Sequence, residues 1–80
     1  MAKIWSIIDI IKWAESYFNK KGLHNPKSEI EWLLSSLLSY SRLDLYLKFD
    51  EPLSKSQLAI LRKWVKRRIK NEPLQYITQS

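Results

Sequence analysis

Apolar side chains recur along most of the chain at the spacing of α-helices. In the first segment they lie three, four and seven positions apart, which places them on one face of a helix. These residues are Ile4, Ile7, Ile8, Ile11, Ala14 and Phe18. Gly22 predicts a left-handed end to this helix, with Leu23 folding back as its hydrophobic contact. The helix is predicted to begin either at Ser6, which can cap it, or near Lys3.

A second helix is predicted to begin at Asn25, a capping residue, with Pro26 in the first helical position. Ser28 and Glu31 form a competing capping box three residues later. One face of this helix is apolar, and the opposite face carries serines. The apolar residues are Ile30, Leu33, Leu34, Leu37 and Leu38, and the serines are Ser35, Ser36 and Ser39.

A short third helix is predicted where Ser41 and Asp44 have the spacing of a cap. Its apolar residues include Leu43, Tyr46 and Leu47. Pro52 indicates that this helix has ended by residues 50–51, because the residue before a proline avoids helical backbone.

A fourth helix over about residues 54–70 is predicted from the capping box of Ser54 and Gln57. Its core-facing residues are expected to be Leu58, Leu61, Val65 and Ile69. Pro73 breaks the chain again, and residues 73–77 are predicted to form one further helical turn.

Eighty residues correspond to one small domain. No segment alternates between apolar and polar residues over the length of a strand, and no internal repeat occurs. The sequence therefore predicts an all-α fold, a small bundle of four to five short antiparallel helices around one core. The helical domain is expected to span residues 1–77, with residues 78–80 as the start of a cut linker or simply the end of the piece.

The composition excludes several kinds of functional site. Without cysteine there is no disulfide, no cysteine-ligated zinc and no thiol catalysis. Gly22 is the only glycine, so a glycine-rich phosphate-binding loop is absent, and a single histidine, His24, excludes a multi-histidine metal site. No apolar run is long enough to span a membrane, and Asp9 and Lys12 interrupt the only stretch that resembles a secretory signal. A cytoplasmic setting is therefore expected, and the chain is expected to be a monomer.

Few residues of this sequence are candidates for general acid or base catalysis. Glu29 and Glu31 point away from each other on a helix, and the neighbouring acids at residues 50–51 are ordinary loop charges. His24 lies in a turn between two helices, and no histidine is placed to activate a serine. No catalytic, cofactor-binding or metal-binding residue is expected in this chain.

Positive charge is concentrated in the second half of the chain. The formal net charge is +6, and six cations fall within nine residues of the fourth helix. These cations are Arg62, Lys63, Lys66, Arg67, Arg68 and Lys70. Such a stripe can bind an acidic protein or phosphates, or can be a solvated outer face with the stem of Arg68 along the core edge. Nucleic acid is the less favoured partner, because no recognition helix with base-reading side chains is evident.

Four tryptophans are many for a chain of this length. Trp32 falls on the serine face of the second helix, Trp5 lies off the main stripe of the first, and Trp13 with Tyr17 extends that stripe sideways. Aromatic residues outside a core favour a partner surface, unless the bundle buries a second face of the first helix. The predicted partner-binding residues are Arg62, Lys63, Lys66, Arg67, Lys70, Trp13 and Trp32.

Three pieces of the chain resemble segments of one family. Asn25–Leu34 (NPKSEIEWLL) resembles the Pro-x-x-(Asp/Glu)-Ala-Glu-x-Leu-Leu segment of HemK-type methyltransferases. Residues 41–50 (SRLDLYLKFD) resemble the next stretch of the same amino-terminal domain, and residues 72–77 (EPLQYI), after the pair Arg67-Arg68, resemble its closing motif. Together these pieces cover roughly residues 10–77 in the right order and spacing. The chain is therefore identified as resembling the amino-terminal domain of this family.

The resemblance implies a function that composition alone does not reveal. Members of the family methylate the side-chain amide of the glutamine in the Gly-Gly-Gln motif of class I peptide chain release factors, with S-adenosylmethionine as donor. A small helical domain, which helps engage the release factor, precedes a linker and a Rossmann-like catalytic domain. The implied partners are therefore a release factor and the protein's own catalytic domain.

This chain lacks both the glycine-rich donor loop and the Asn-Pro-Pro-Tyr motif of the family's catalytic domain. No catalytic or donor-binding residue of the family can be assigned to a position here. The expectation is a non-catalytic release-factor-binding domain of a methyltransferase whose catalytic domain binds the donor. The alternative is a stand-alone basic helical domain that binds RNA or the ribosome.

Overall fold

The computed structural model of the protein describes residues 4–79. Within these residues the chain forms five helices and no strand, apart from an isolated bridge between Ser6 and Pro52. The helices are α1 (Ile7–Lys20), α2 (Pro26–Leu38), α3 (Arg42–Leu47), α4 (Lys55–Ile69) and α5 (Leu74–Gln79). The predicted all-α fold of four to five short helices is confirmed.

Local capping chemistry decides where the helices begin. α1, α3 and α4 each start with a complete capping box, in which a serine hydroxyl accepts from a backbone N–H three residues on. The pairs are Ser6 with Asp9, Ser41 with Asp44, and Ser54 with Gln57. α2 begins instead with Pro26 in its first position after Asn25, as predicted, and the competing box of Ser28 and Glu31 does not form.

The end of α1 follows the predicted left-handed stop. Gly22 has φ +85°, a conformation that costs little only for glycine. The Leu23 N–H donates to the carbonyl of Phe18 (3.1 Å), and the Gly22 N–H donates to that of Asn19 (3.1 Å). These two bonds are those of a Schellman motif, and they satisfy carbonyls that the helix end would otherwise leave unpaired.

The predicted apolar stripe of α1 is wrong at its first residue. Because Ser6 caps the helix, Ile4 precedes it and is 75% exposed, while Ile8 is only partly buried. Ile10 is buried instead. The alternative start near Lys3 lies outside the described residues.

α2 is the central helix of the bundle. α1, α3, α4 and α5 all pack against it, and α5 also packs against α4. The buried apolar residues form one core: Ile7, Ile10, Ile11, Ala14, Phe18, Ile30, Leu33, Leu34, Leu45, Leu53, Leu61, Trp64, Val65 and Ile77. α1 and α4 are not a closely packed pair, and this separation creates the site described below.

α3 and α4 differ from the predicted stripes. α3 buries only Leu45, whereas Leu43 and Leu47 are exposed, because α3 contacts the bundle chiefly through α2. α4 buries Leu61 and Val65 as predicted, and it also buries Trp64, which the predicted stripe did not include. Leu58 and Ile69 on α4 are half-buried.

The predicted final turn is a short helix. Pro73 precedes α5, and Ile77 is fully buried in the core. The helix continues to Gln79, beyond the expected end of the domain at residue 77. Ser80 lies outside the described residues, and the division at residue 77 stays a prediction.

Candidate functional site

The basic run of α4 divides into cations that tie the fold together and cations that face outward. Arg68 binds Glu29 of α2 through two hydrogen bonds, from Nε to Oε2 (2.8 Å) and from Nη2 to Oε1 (3.0 Å). Arg67 binds Glu72 in the turn before α5, with Nε 2.7 Å from Oε2. Partner binding by Arg67 stays a prediction, and any partner would meet its guanidinium already bound to Glu72.

The remaining cations of the run lie on the exposed side of α4. They are Arg62, Lys63, Lys66 and Lys70. Arg62 and Lys66 are four positions apart and lie along one edge of the helix, and Lys70 continues that row. Arg62 is the member of the run that lies beside the apolar part of the surface, next to Leu58.

A cavity of about 170 Å³ lies between α1 and α4. We call it the α1–α4 groove, and its lining residues are Trp5, Ile10, Trp13, Leu58, Leu61 and Arg62. Trp13 stacks on Tyr17 with ring centroids 5.4 Å apart and an interplanar angle of 10°. Trp5 meets Trp13 edge to face at 6.3 Å. The structure thus brings two of the predicted partner-binding residues, Trp13 and Arg62, to one site.

The surface extends from both ends of the groove. Next to Trp5, a further depression is lined by Ile4, Leu53, Lys55, Leu58, Ala59 and Arg62. Next to Trp13, a second depression is lined by Ser16, Tyr17 and Lys20. No carboxylate lines the groove or either extension among residues 4–79. The groove is therefore apolar in the middle and cationic at its rim.

The other predicted tryptophan lies elsewhere. Trp32 is 42% exposed on the outer face of α2, beside Ser35, Ser36 and Arg42. It does not line the α1–α4 groove. Trp64 is buried in the core. The four tryptophans of the chain thus occupy three different environments, and only Trp5 and Trp13 share one.

Sequence reasoning missed a polar cluster between α2 and α3. Glu31 is buried, the hydroxyl of Tyr46 donates to its Oε2, and Arg42 Nε lies 3.6 Å from its Oε1. Burial, this hydrogen bond and the charge of Glu31 raise the pKa of Tyr46 to about 12. Position 31 is three residues before Leu34, on the edge of the apolar stripe, and this spacing was the available signal.

The carboxylates of the chain are used mainly inside the molecule. Six of the eight take part in a capping box, an ion pair or a tyrosine hydrogen bond. These six are Asp9, Glu29, Glu31, Asp44, Glu51 and Glu72. Glu29 and Glu31 point to different partners, as the helical spacing predicted. Their roles are structural, since each is held by a neighbouring helix or turn.

The described residues contain no group of three or more side chains suited to hold a metal ion. No helix among residues 4–79 is long and apolar enough to cross a membrane. The single glycine closes α1, so the residues present do not fit a glycine-rich donor-binding loop. His24 is exposed in the connection between α1 and α2, where the sequence predicted it.

Comparison with known proteins gives a consistent result. The family model described as "PrmC N-terminal domain" matches residues 9–78. A release factor glutamine methyltransferase of Geobacter sulfurreducens is 47% identical over 75 residues, which is 94% of this chain and 26% of that protein. The enzyme of the same name from Chlorobaculum tepidum is 33% identical over 75 residues, again 94% of this chain and 26% of that protein.

A bifunctional methyltransferase of Rickettsia typhi is 32% identical over 74 residues, or 92% of this chain and 14% of that protein. No solved structure matches the chain significantly. The chain spans about a quarter of the length of the first curated relatives it matches. The five-helix fold and the match over residues 9–78 confirm the resemblance found in the sequence: the chain belongs to the PrmC N-terminal domain family.

Proposed function

We propose that this chain is the non-catalytic amino-terminal domain of a release factor glutamine methyltransferase. The observation that carries the proposal is its match to an amino-terminal domain family, together with relatives that bear this enzyme name and of which it spans 26%. The parent reaction is methyl transfer to the glutamine of the Gly-Gly-Gln motif in class I peptide chain release factors. A cytoplasmic location and a monomeric state belong to the same proposal.

The methyl donor is assigned to the part of the enzyme outside this chain. S-adenosylmethionine supplies the methyl group when bound to the catalytic domain, since the one glycine of this chain closes α1 and leaves none for a glycine-rich donor loop. The contribution of this chain is to hold the release factor, because fixing a substrate in position lowers a barrier without adding a chemical group. With donor and release factor added, this chain alone is expected to form no product, and turnover would contradict the proposal.

Electrostatics supports an acidic partner surface. Most carboxylates are bound internally, whereas Lys63, Lys66 and Lys70 face outward on α4. Charged rims of this kind act mainly on association rate. Reversing the charge of Lys63 and Lys66 together is therefore expected to slow association with the release factor and to make the rate less dependent on salt. An unchanged rate would remove the α4 face from the docking surface.

The direct test is an NMR titration of the isotope-labelled chain with a class I release factor at physiological salt. Shifts confined to one face are the expected result and would identify the contact residues. No shift at high micromolar concentration would contradict a docking role for this domain. An unrelated RNA serves as the control, because the alternative of a nucleic-acid-binding domain predicts binding with a steep salt dependence.

A further inference from the structure

The α1–α4 groove has the size of one apolar side chain. Its volume is about 170 Å³, and an apolar protein cavity of roughly 150 Å³ accommodates a benzene ring. The groove is open to solvent between two helices that do not pack closely on each other. A leucine or phenylalanine from a partner would fill it and contact Trp13 and Leu58.

The walls of the groove are held in place before any partner arrives. Trp13 lies between Trp5 and Tyr17, and the main-chain carbonyl of Trp5 accepts a hydrogen bond from the Leu53 N–H (2.9 Å). This bond joins the segment before α1 to the segment before α4. A preformed site loses less conformational entropy on binding, which favours affinity.

The charges around the groove select the kind of segment that binds. Lys55 and Arg62 lie at one end, and Lys20 lies at the other. Lys21 lies over the Tyr17 ring, with Nζ 5.6 Å from its centroid. The carboxylate of Asp9 on α1 accepts from the backbone N–H and hydroxyl of Ser6, and Asp9 does not line the groove or its extensions. The charged side chains that line the groove and its two extensions among residues 4–79 are all cations, and this favours a segment that carries carboxylates.

We propose that the α1–α4 groove binds an acidic segment of the release factor, which inserts one apolar side chain beside Trp5 and Trp13 and places carboxylates against Arg62 and Lys55. This inference rests on the proposed function and specifies its docking surface. The outer face of α4 then steers the encounter, whereas the groove anchors the complex. Tryptophan and arginine are the side chains most enriched in binding hot spots, and the groove presents both.

The test uses the four indole N–H signals of the labelled chain as position markers. Two probes are titrated separately: a class I release factor, and a short synthetic helical peptide with leucines along one face and glutamates beside them. For both probes, the signals of Trp5 and Trp13 are expected to shift while those of Trp32 and Trp64 stay in place. A lysine-for-glutamate version of the peptide is expected not to bind.

Two exposed residues supply matched variants. Arg62→Glu is expected to weaken binding about tenfold, as for a charge at the rim of an interface. Lys12→Glu changes the net charge equally, but Lys12 lies on the outer side of α1 near Glu15, so binding is expected to be unaffected. If both variants weaken binding equally, binding depends on the net charge of the chain and not on the groove, and the inference is wrong. Circular dichroism verifies that each variant is folded.

The outcomes separate this inference from the proposed function. If the release factor shifts the signal of Trp32, or only signals on the outer face of α4, the groove is not its binding site. The docking role of the domain would then still stand. Peptide binding in the groove without any release-factor binding would overturn the release factor as the source and, with it, the proposed function. If neither probe shifts Trp5 and Trp13, the groove is no docking site.

Discussion

The two sides of this small bundle use their charged residues in opposite ways. Around α2, carboxylates reach across to neighbouring elements: Glu29 binds Arg68, Glu31 binds Tyr46, and Glu51 binds the Tyr40 hydroxyl. We call these contacts the paired side. Between α1 and α4, apolar residues and cations line a groove that no described carboxylate lines. Charge stabilises the fold on the paired side and remains available to a partner at the groove.

This division explains how a domain with a net charge of +6 can have a strongly basic surface and still be held together by ion pairs and hydrogen bonds. Ion pairs between partly buried groups are screened less by solvent than pairs on the surface. Three of the eight carboxylates of the chain are held on the paired side in this way. The cations of α4 that have no carboxylate nearby then dominate the outside.

The largest difference in stability is expected between alanine substitutions of two arginines on α4. Arg68→Ala leaves Glu29, whose side chain is only 14% exposed, without its partner, and is expected to lower the free energy of unfolding by about 2 kcal/mol. Arg62→Ala removes an exposed groove residue and is expected to change the free energy of unfolding by less than about 0.5 kcal/mol. Urea unfolding measures both. Equal losses would show that the two sides do not differ as described.

The next largest loss of stability is expected at Tyr46, in the polar cluster with Glu31 and Arg42. Tyr46→Phe removes the hydroxyl that donates to buried Glu31 but keeps the ring over which Lys27 lies, and is expected to cost about 1.5 kcal/mol. Tyr76→Phe is the control, since this side chain is 65% exposed. Its cost is expected to stay below about 0.5 kcal/mol. A loss as large for Tyr76 would contradict a specific role for the cluster.

Alkaline pH tests the same contact without mutation. The pKa of Tyr46 is raised from its ordinary value of 10.0 to about 12, so the folded chain holds this proton more tightly than the unfolded chain. The contribution to stability is complete below pH 10 and is lost as the pH rises through about 12. Unfolding measured across this window should show a steeper loss of stability for the parent chain than for Tyr46→Phe. Identical slopes would contradict the raised pKa.

The smallest change in stability is expected from the ion pair of Arg67 and Glu72, in the turn between α4 and α5. The hydrogen bond from Arg67 lowers the pKa of the Glu72 carboxyl below its ordinary value of 4.5. Its contribution is therefore present above that value and is lost as the pH falls through the lowered pKa. Glu72→Gln should flatten the dependence of stability on pH in the acid range, as measured by urea unfolding. A slope unchanged by the substitution would mean that this ion pair does not stabilise the fold.

Much of the fold could be predicted because its signals are local. A capping box needs a serine and a residue three positions on, and a left-handed stop needs a glycine, so Ser54 and Gly22 mark helix ends by themselves. The candidate site could be predicted only in part. Arg67 belongs to the basic run by its spacing, but its guanidinium is bound to Glu72, and nothing in the periodicity of α4 indicates this contact.

The sequence by itself determined the all-α class with four to five helices, most of the capping residues, the excess of positive charge and the family to which the chain belongs, because each depends on neighbouring residues or on residue order. Only the tertiary structure decided which charges meet. Glu29 and Arg68 are 39 positions apart, and Trp13 and Arg62 lie on helices joined through two others. Their proximity follows from how α1 and α4 pack around α2. The same packing separates Trp32 from the groove, and partner binding by Trp32 stays a prediction.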